Sequence, residues 1–192
     1  MLPVIKWIYG ALHQTIDEAL IASLERAIPR ELVQEVINKV DEWSSEEFKR
    51  VAQDAIRRQP ILLAFIASAI ASLPEDLRDQ AFLSAIVMIR IFDKHYGPNQ
   101  AQIEQSNIDH FINRNSRFIL DMMKGNLKRN SGDVVQPVIL QFVADTVLES
   151  LTDDVSKAEG LELLLTFKTA VDVLDHACSA NNKPGQYAFA AR

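Results

Sequence analysis

Apolar residues recur along this chain at intervals of three and four, the spacing that lines one stripe of an α-helix, and no stretch alternates with a period of two for the length of a strand. Ile5, Ile8, Leu12, Ile16, Leu20, Leu24 and Ala27 form the first stripe and predict a helix from about Pro3 to Ala27, weakened or bent at Gly10. Pro29 suits the first turn of a second helix, which carries Leu32, Val33, Val36, Ile37, Val40 and Trp43 on one face. Ser44-Ser45-Glu46-Glu47 is a capping-box pattern, in which a serine oxygen accepts from a free backbone N–H and the glutamate three residues on reaches back. It opens a third helix bearing Phe48, Val51, Ala52, Ala55 and Ile56, which Pro60 closes.

Gln59 to Pro74 holds no charge over sixteen residues. A membrane span needs about 20 apolar residues, so this run predicts a buried helix, with Ala64, Ser68 and Ser72 at four-residue spacing to admit a neighbouring backbone. Ser72-Leu73-Pro74-Glu75 starts a fifth helix through Leu77, Ala81, Phe82, Ala85, Ile86, Ile89 and Phe92, stopped by Gly97-Pro98. A sixth runs from about Gln100 to Lys124, with Ile108, Phe111, Ile112, Asn115, Ile119 and Met122 on one stripe and Gly125 beyond its end. Residues Asn126 to Gly132 are a polar loop. Val135 or Pro137 then opens a seventh helix reaching Leu151, and Thr152 or Ser156 an eighth bearing Leu161, Leu164, Phe167, Val171, Leu174 and Cys178, with Gly160 an irregularity.

The expected architecture is all-α: a compact bundle of seven or eight helices, one domain over residues 1–180 with a flexible tail at 181–192. The helices from Pro60 to Leu73 and from Pro74 to Tyr96 are expected at its centre. A helical-repeat solenoid is the minor alternative, suggested by Ile28-Pro29-Arg30-Glu31-Leu32 against Leu73-Pro74-Glu75-Asp76-Leu77, an echo near the period of two-helix repeats. Composition agrees with helices, since 6 glycines and 7 prolines in 192 residues leave little for the tight turns of an all-β fold.

Candidate chemistry is sparse. Neither G-x-G-x-x-G nor the P-loop pattern occurs, nor a G-x-S-x-G elbow. Cys178 is the one cysteine, so no disulfide can close within the chain, and it reads as a core residue in a reducing, cytoplasmic setting. The apolar stretch from Met1 to Leu12 lacks a small-residue cleavage site and is expected to belong to the mature fold. His13, His95, His110 and His176 stand outside any metal-binding pattern; Asp172 and His176, four apart, are the best local pair and read as a solvated or capping interaction near a helix end. Arg90-Ile-Phe-Asp-Lys-His95 resembles, over six residues, the R-x4-6-H spacing of the HEPN helical ribonucleases, although Ile91 stands where that family tends to a polar residue. The resemblance implies arginine and histidine acting on RNA phosphate; the plainer reading is that Lys94 and His95 complement the helix dipole. No catalytic residue, metal site or cofactor is assigned.

The net charge is −6, which disfavours diffuse binding to nucleic acid or an anionic membrane. It is unevenly spread. Arg114, Arg117, Lys124, Lys128 and Arg129 face only Asp121 between 114 and 129, a local +4 that leaves −10 on the rest. This basic segment is either a docking surface for an acidic partner or cations gathered at a helix end. Asn115 falls on an apolar stripe, and a buried amide left unbonded costs about 1–3 kcal/mol, so a neighbouring helix, a ligand or a subunit must satisfy it. Trp7 and Tyr9 add aromatic anchors of the kind that dominate interfaces. The expected function is therefore a non-catalytic protein–protein interaction module, an adaptor, chaperone-like or regulatory protein, with self-association an option. A helical enzyme, ribonuclease or metal-assisted hydrolase, is the alternative, and reversible membrane association the third.

Overall fold

The computed structural model describes residues 10–17, 27–98, 100–124, 134–148 and 156–181. Among them the regular structure is helical throughout: α1 (10–17), α2 (Arg30–Val40), α3 (Ser45–Arg58), α4 (Pro60–Ile70), α5 (Glu75–Tyr96), α6 (Gln105–Met123), α7 (Pro137–Val143), a π-helical extension of α7 (Ala144–Leu148), and α8 (Lys157–Asn181). The all-α bundle is as the periodicity predicts. Helices distant in sequence pack together, α2 on α7 and α4 on α8, which a solenoid of nearest-neighbour repeats does not allow.

Two helices form the centre. On α5, Ala85 to Ile89 with Ile91 and Phe92 are buried on every side, and on α8 the same holds from Leu163 to Leu174 apart from part-buried Leu165. A helix wrapped all round by others needs no polar face, and each of these touches at least five other helical elements. The uncharged helix α4 does not share the centre, contrary to its sequence. It buries Leu62, Leu63, Ile66 and Ile70, while Ala64, Ala67, Ser68, Ala71 and Ser72 are exposed. Small side chains forfeit little burial free energy in water, so the larger ones claim the core.

The helix ends follow local chemistry. Ser44 Oγ accepts from Glu47 N at 3.2 Å, and Ser156 forms a full box with Glu159, Ser156 N donating to Glu159 Oε2 at 2.8 Å and Glu159 N to Ser156 Oγ at 3.2 Å. Helix α6 begins at Gln105 and not Gln100, because Glu104 and Asn107 make a capping box of their own. Helix α7 leaves α geometry at Ala144, and the wider turn has Asp145 Oδ1 3.0 Å from His13 Nε2 of α1; the expected end at Leu151 lies outside the described residues.

Two Gln-Pro junctions tie the connecting segments down. Proline disfavours helical backbone at the preceding residue, and Gln59 and Gln136 both adopt φ −129° with ψ 56° and 73°. Both side chains are buried. Gln59 donates to Ala101 O at 3.0 Å and accepts from Ile103 N at 3.0 Å; Gln136 accepts from Ile28 N at 2.8 Å and donates to Asp175 Oδ1 at 2.6 Å. Buried backbone outside a helix needs such partners, and the two amides supply them. Beside the first junction Arg58 grips Asp93 of α5 through two bonds, Nη1 to Oδ1 at 2.7 Å and Nη2 to Oδ2 at 2.5 Å. That contact holds the Arg58 guanidinium even further above its ordinary range.

Arg58→Met should therefore lower stability by about 2 kcal/mol, since Asp93 loses its bidentate partner while keeping Gln100 at 3.2 Å and Arg90 at 3.7 Å. Arg57→Met, which removes an exposed side chain paired with Asp54, should cost less than about 0.5 kcal/mol. Urea unfolding of the two variants checks the contrast.

Candidate functional site

Helix α6 presents chemistry on both of its faces. Its inner stripe of Ile108, Phe111, Asn115, Phe118, Ile119 and Met122 packs on α8, the most extensive helix contact described. Asn115 is fully buried, as its place on the stripe predicts, and what satisfies it is α8. Asn115 Nδ2 donates to Thr169 Oγ1 at 3.3 Å, and Lys168 Nζ donates to Asn115 Oδ1 at 3.4 Å.

Lys168 is itself only 1% exposed, one turn from Asp172 at 2%. Its ammonium donates to Asp172 Oδ2 at 2.5 Å and lies 5.2 Å from the centre of the Phe118 ring. An ion pair so far from water meets a large desolvation cost, repaid only by near-complete bonding. Bonding here is incomplete, because Asp172 Oδ1 finds no hydrogen-bond partner among the described residues. Burial pushes the Asp172 carboxyl up, against the pull of the Lys168 ammonium. Asp172 therefore does not pair with His176 at a solvated helix end: its carboxylate turns inward to Lys168, while exposed His176 lies against Phe111, ring centres 5.7 Å apart.

A second polar group gathers at the far end of α8. Burial pushes the Asp175 carboxyl up, offset by the Gln136 hydrogen bond, with Asp172 adding to the rise. Beside it burial raises the Tyr96 phenol to about 12 and the Cys178 thiol to about 12, which makes Cys178 an inert core thiol. Burial lowers His95 against the opposing charge of Asp175. Arg90 turns instead toward Asp93, so the two residues of the six-residue ribonuclease spacing have different neighbours. Among the described residues no three His, Cys, Asp or Glu side chains gather as metal ligands would, and no helix is long and apolar enough to cross a membrane.

The outer face of α6 lies opposite Asn115. At about 100° per residue Arg117, Leu120 and Lys124 fall on the far side of the helix, with Arg114 on its flank, and all four are exposed. Leu120 is 53% exposed; among the described residues only Ile56, at 46%, is another large apolar side chain so placed. Arg114 stands 6.0 Å from the Phe111 ring centre. Arg117 and Lys124 make no side-chain hydrogen bond or ion pair with the described residues. Lys128, Arg129, Trp7 and Tyr9 lie outside the described residues.

Sequence reasoning found Asn115 and the cations but missed Leu120, Lys168 and Thr169. The overlooked signal for Lys168 is a cation in the middle of an apolar run with an acid four residues on. Comparison of the chain with protein families, curated proteins and solved structures finds no match.

Lys168→Met strands the Asp172 carboxylate and should cost about 3–5 kcal/mol, whereas Lys168→Met with Asp172→Leu should recover more than half of that loss, both read from denaturant midpoints. Asp175 carries an opposite expectation. Its raised pKa means that its contribution to stability is fully present below the ordinary value of 3.8 and is lost as pH rises through the folded value. Asp175→Asn, which can still accept from Gln136, should melt higher than the wild type at pH 7 and no higher at about pH 3.

Proposed function

We propose that the chain is a non-catalytic helical protein–protein interaction module whose docking surface is the outer face of α6 and whose partner is acidic. One observation carries the reading: Leu120, 53% exposed, sits one turn from Arg117 on one side and from Lys124 on the other, with Arg114 beside them. An apolar contact flanked by cations offers both of the terms an acidic amphipathic partner needs, area to bury and charge to select. The helix dipole accounts for Lys124 at the helix end but not for Arg114 and Arg117, two to three turns upstream. An adaptor or regulatory role goes with this arrangement, and so does a cytoplasmic setting, in which the buried Cys178 needs no partner thiol.

Arg117→Glu with Leu120→Gln and Lys124→Glu should abolish capture of the stoichiometric protein partner that the wild-type chain retains from native lysate, quantified by mass spectrometry. The melting temperature should change by less than about 3 °C, since all three side chains are exposed. An identical set of captured proteins from both forms would sink the reading.

A further inference from the structure

We propose that a second copy of this chain docks on the outer face of α6 through the acidic corner between α2 and α3; the inference rests on the reading of α6 as an interaction surface and names an occupant for it. The corner is Asp41-Glu42-Trp43-Ser44-Ser45-Glu46-Glu47, four carboxylates in seven residues with no cation among them. Asp41, Glu42, Glu46 and Glu47 are all exposed. The Asp41, Glu42 and Glu46 side chains make no hydrogen bond or ion pair with the described residues, and Glu47 meets Arg50 only at 3.7 Å. Trp43, between them in sequence, is part-buried and packs against the core.

Each patch is the other's complement. The corner offers four acids on either side of Trp43 in sequence; α6 offers Arg114, Arg117 and Lys124 around Leu120, spread over about 15 Å of helix. A single chain does not bring them together, because α6 packs chiefly on α8 while α2 and α3 pack on α5 and α4. Among the described residues Arg117 and Lys124 on one patch and Asp41, Glu42 and Glu46 on the other meet no opposite charge, and a second copy supplies one to each. A contact of α6 with α6 would set cation on cation, so each copy presents its corner to the α6 of another. With a small apolar centre and a charged surround it is weak, sensitive to salt and dependent on concentration.

Sedimentation velocity of the full chain tests this. At about 20 mM salt the weight-average mass should climb above the 21.6 kDa monomer as concentration rises, and at about 500 mM it should return to it. Two charge-reversed forms follow: Arg117→Glu with Lys124→Glu, and Asp41→Lys with Glu42→Lys and Glu46→Lys. Each alone should stay monomeric at low salt with its helical circular dichroism intact. An equimolar mixture should associate again, since the native corner of one meets the native α6 of the other and the reversed corner meets the reversed α6. Leu120→Gln, which keeps every charge, should weaken wild-type association at least threefold. A wild type monomeric at every concentration, association that survives either reversal, or a mixture that stays monomeric overturns the proposal. Partner capture by α6 is read separately, so a monomeric wild type that still retains an acidic partner leaves the function standing, and lost capture with intact self-association does the reverse.

Discussion

A lysine buried to 1% exposure is the constraint on which the arrangement of this bundle depends. Its ammonium can be tolerated away from water only where acceptors surround it, and those come from two helices: Asp172 on α8 itself, Asn115 on α6. Apolar packing alone would let α6 roll on α8 with modest loss, since hydrophobic contact has no direction. The polar contacts do not permit it. Asn115 must face Lys168 and Thr169, and with that rotation set, Arg117, Leu120 and Lys124 have to face solvent. The buried ion pair thus determines which surface α6 shows to the outside.

The same principle operates at the edges of the bundle in neutral form. Helices satisfy their own backbone, but the segments between them do not, and here two glutamines held out of helical geometry by the prolines that follow them act as replacement partners. Gln59 anchors 101–103 and Gln136 anchors Ile28. Because Gln136 also reaches Asp175, the junction that opens α7 is tied to the end of α8 as well. Polar groups in this core are therefore directional fasteners, while the apolar side chains around them supply the bulk of the burial.

Charge on the outside is distributed with equal consequence. Acids collect where α2 gives way to α3, near a helix start that favours them, whereas cations occupy the exposed side of α6. Separation of sign over a surface stabilises no fold, but it orients encounters and selects partners. A chain of −6 overall can on this account still present a basic face.

Much of the fold is legible in the residues alone. The three-and-four spacing locates the helices, Ser44 and Ser156 start two of them, Gly97 ends another, and the α6 stripe assigns Asn115 to the interior. These are local matters, decided within a turn or two by backbone geometry and the period of the helix. Which helix is central was not local. The apolar composition of α4 suggests the middle, yet its small residues lie outside, since a core is filled by volume and shape and not by hydrophobicity alone. Spacing pairs Lys168 with Asp172 on its own helix, but it does not reveal that Asn115, 53 residues away, would meet them, or that Leu120 would be left exposed between cations. Periodicity gives the angle of a side chain about its own helix axis; only the packing of one helix on another decides which angles meet protein and which meet water.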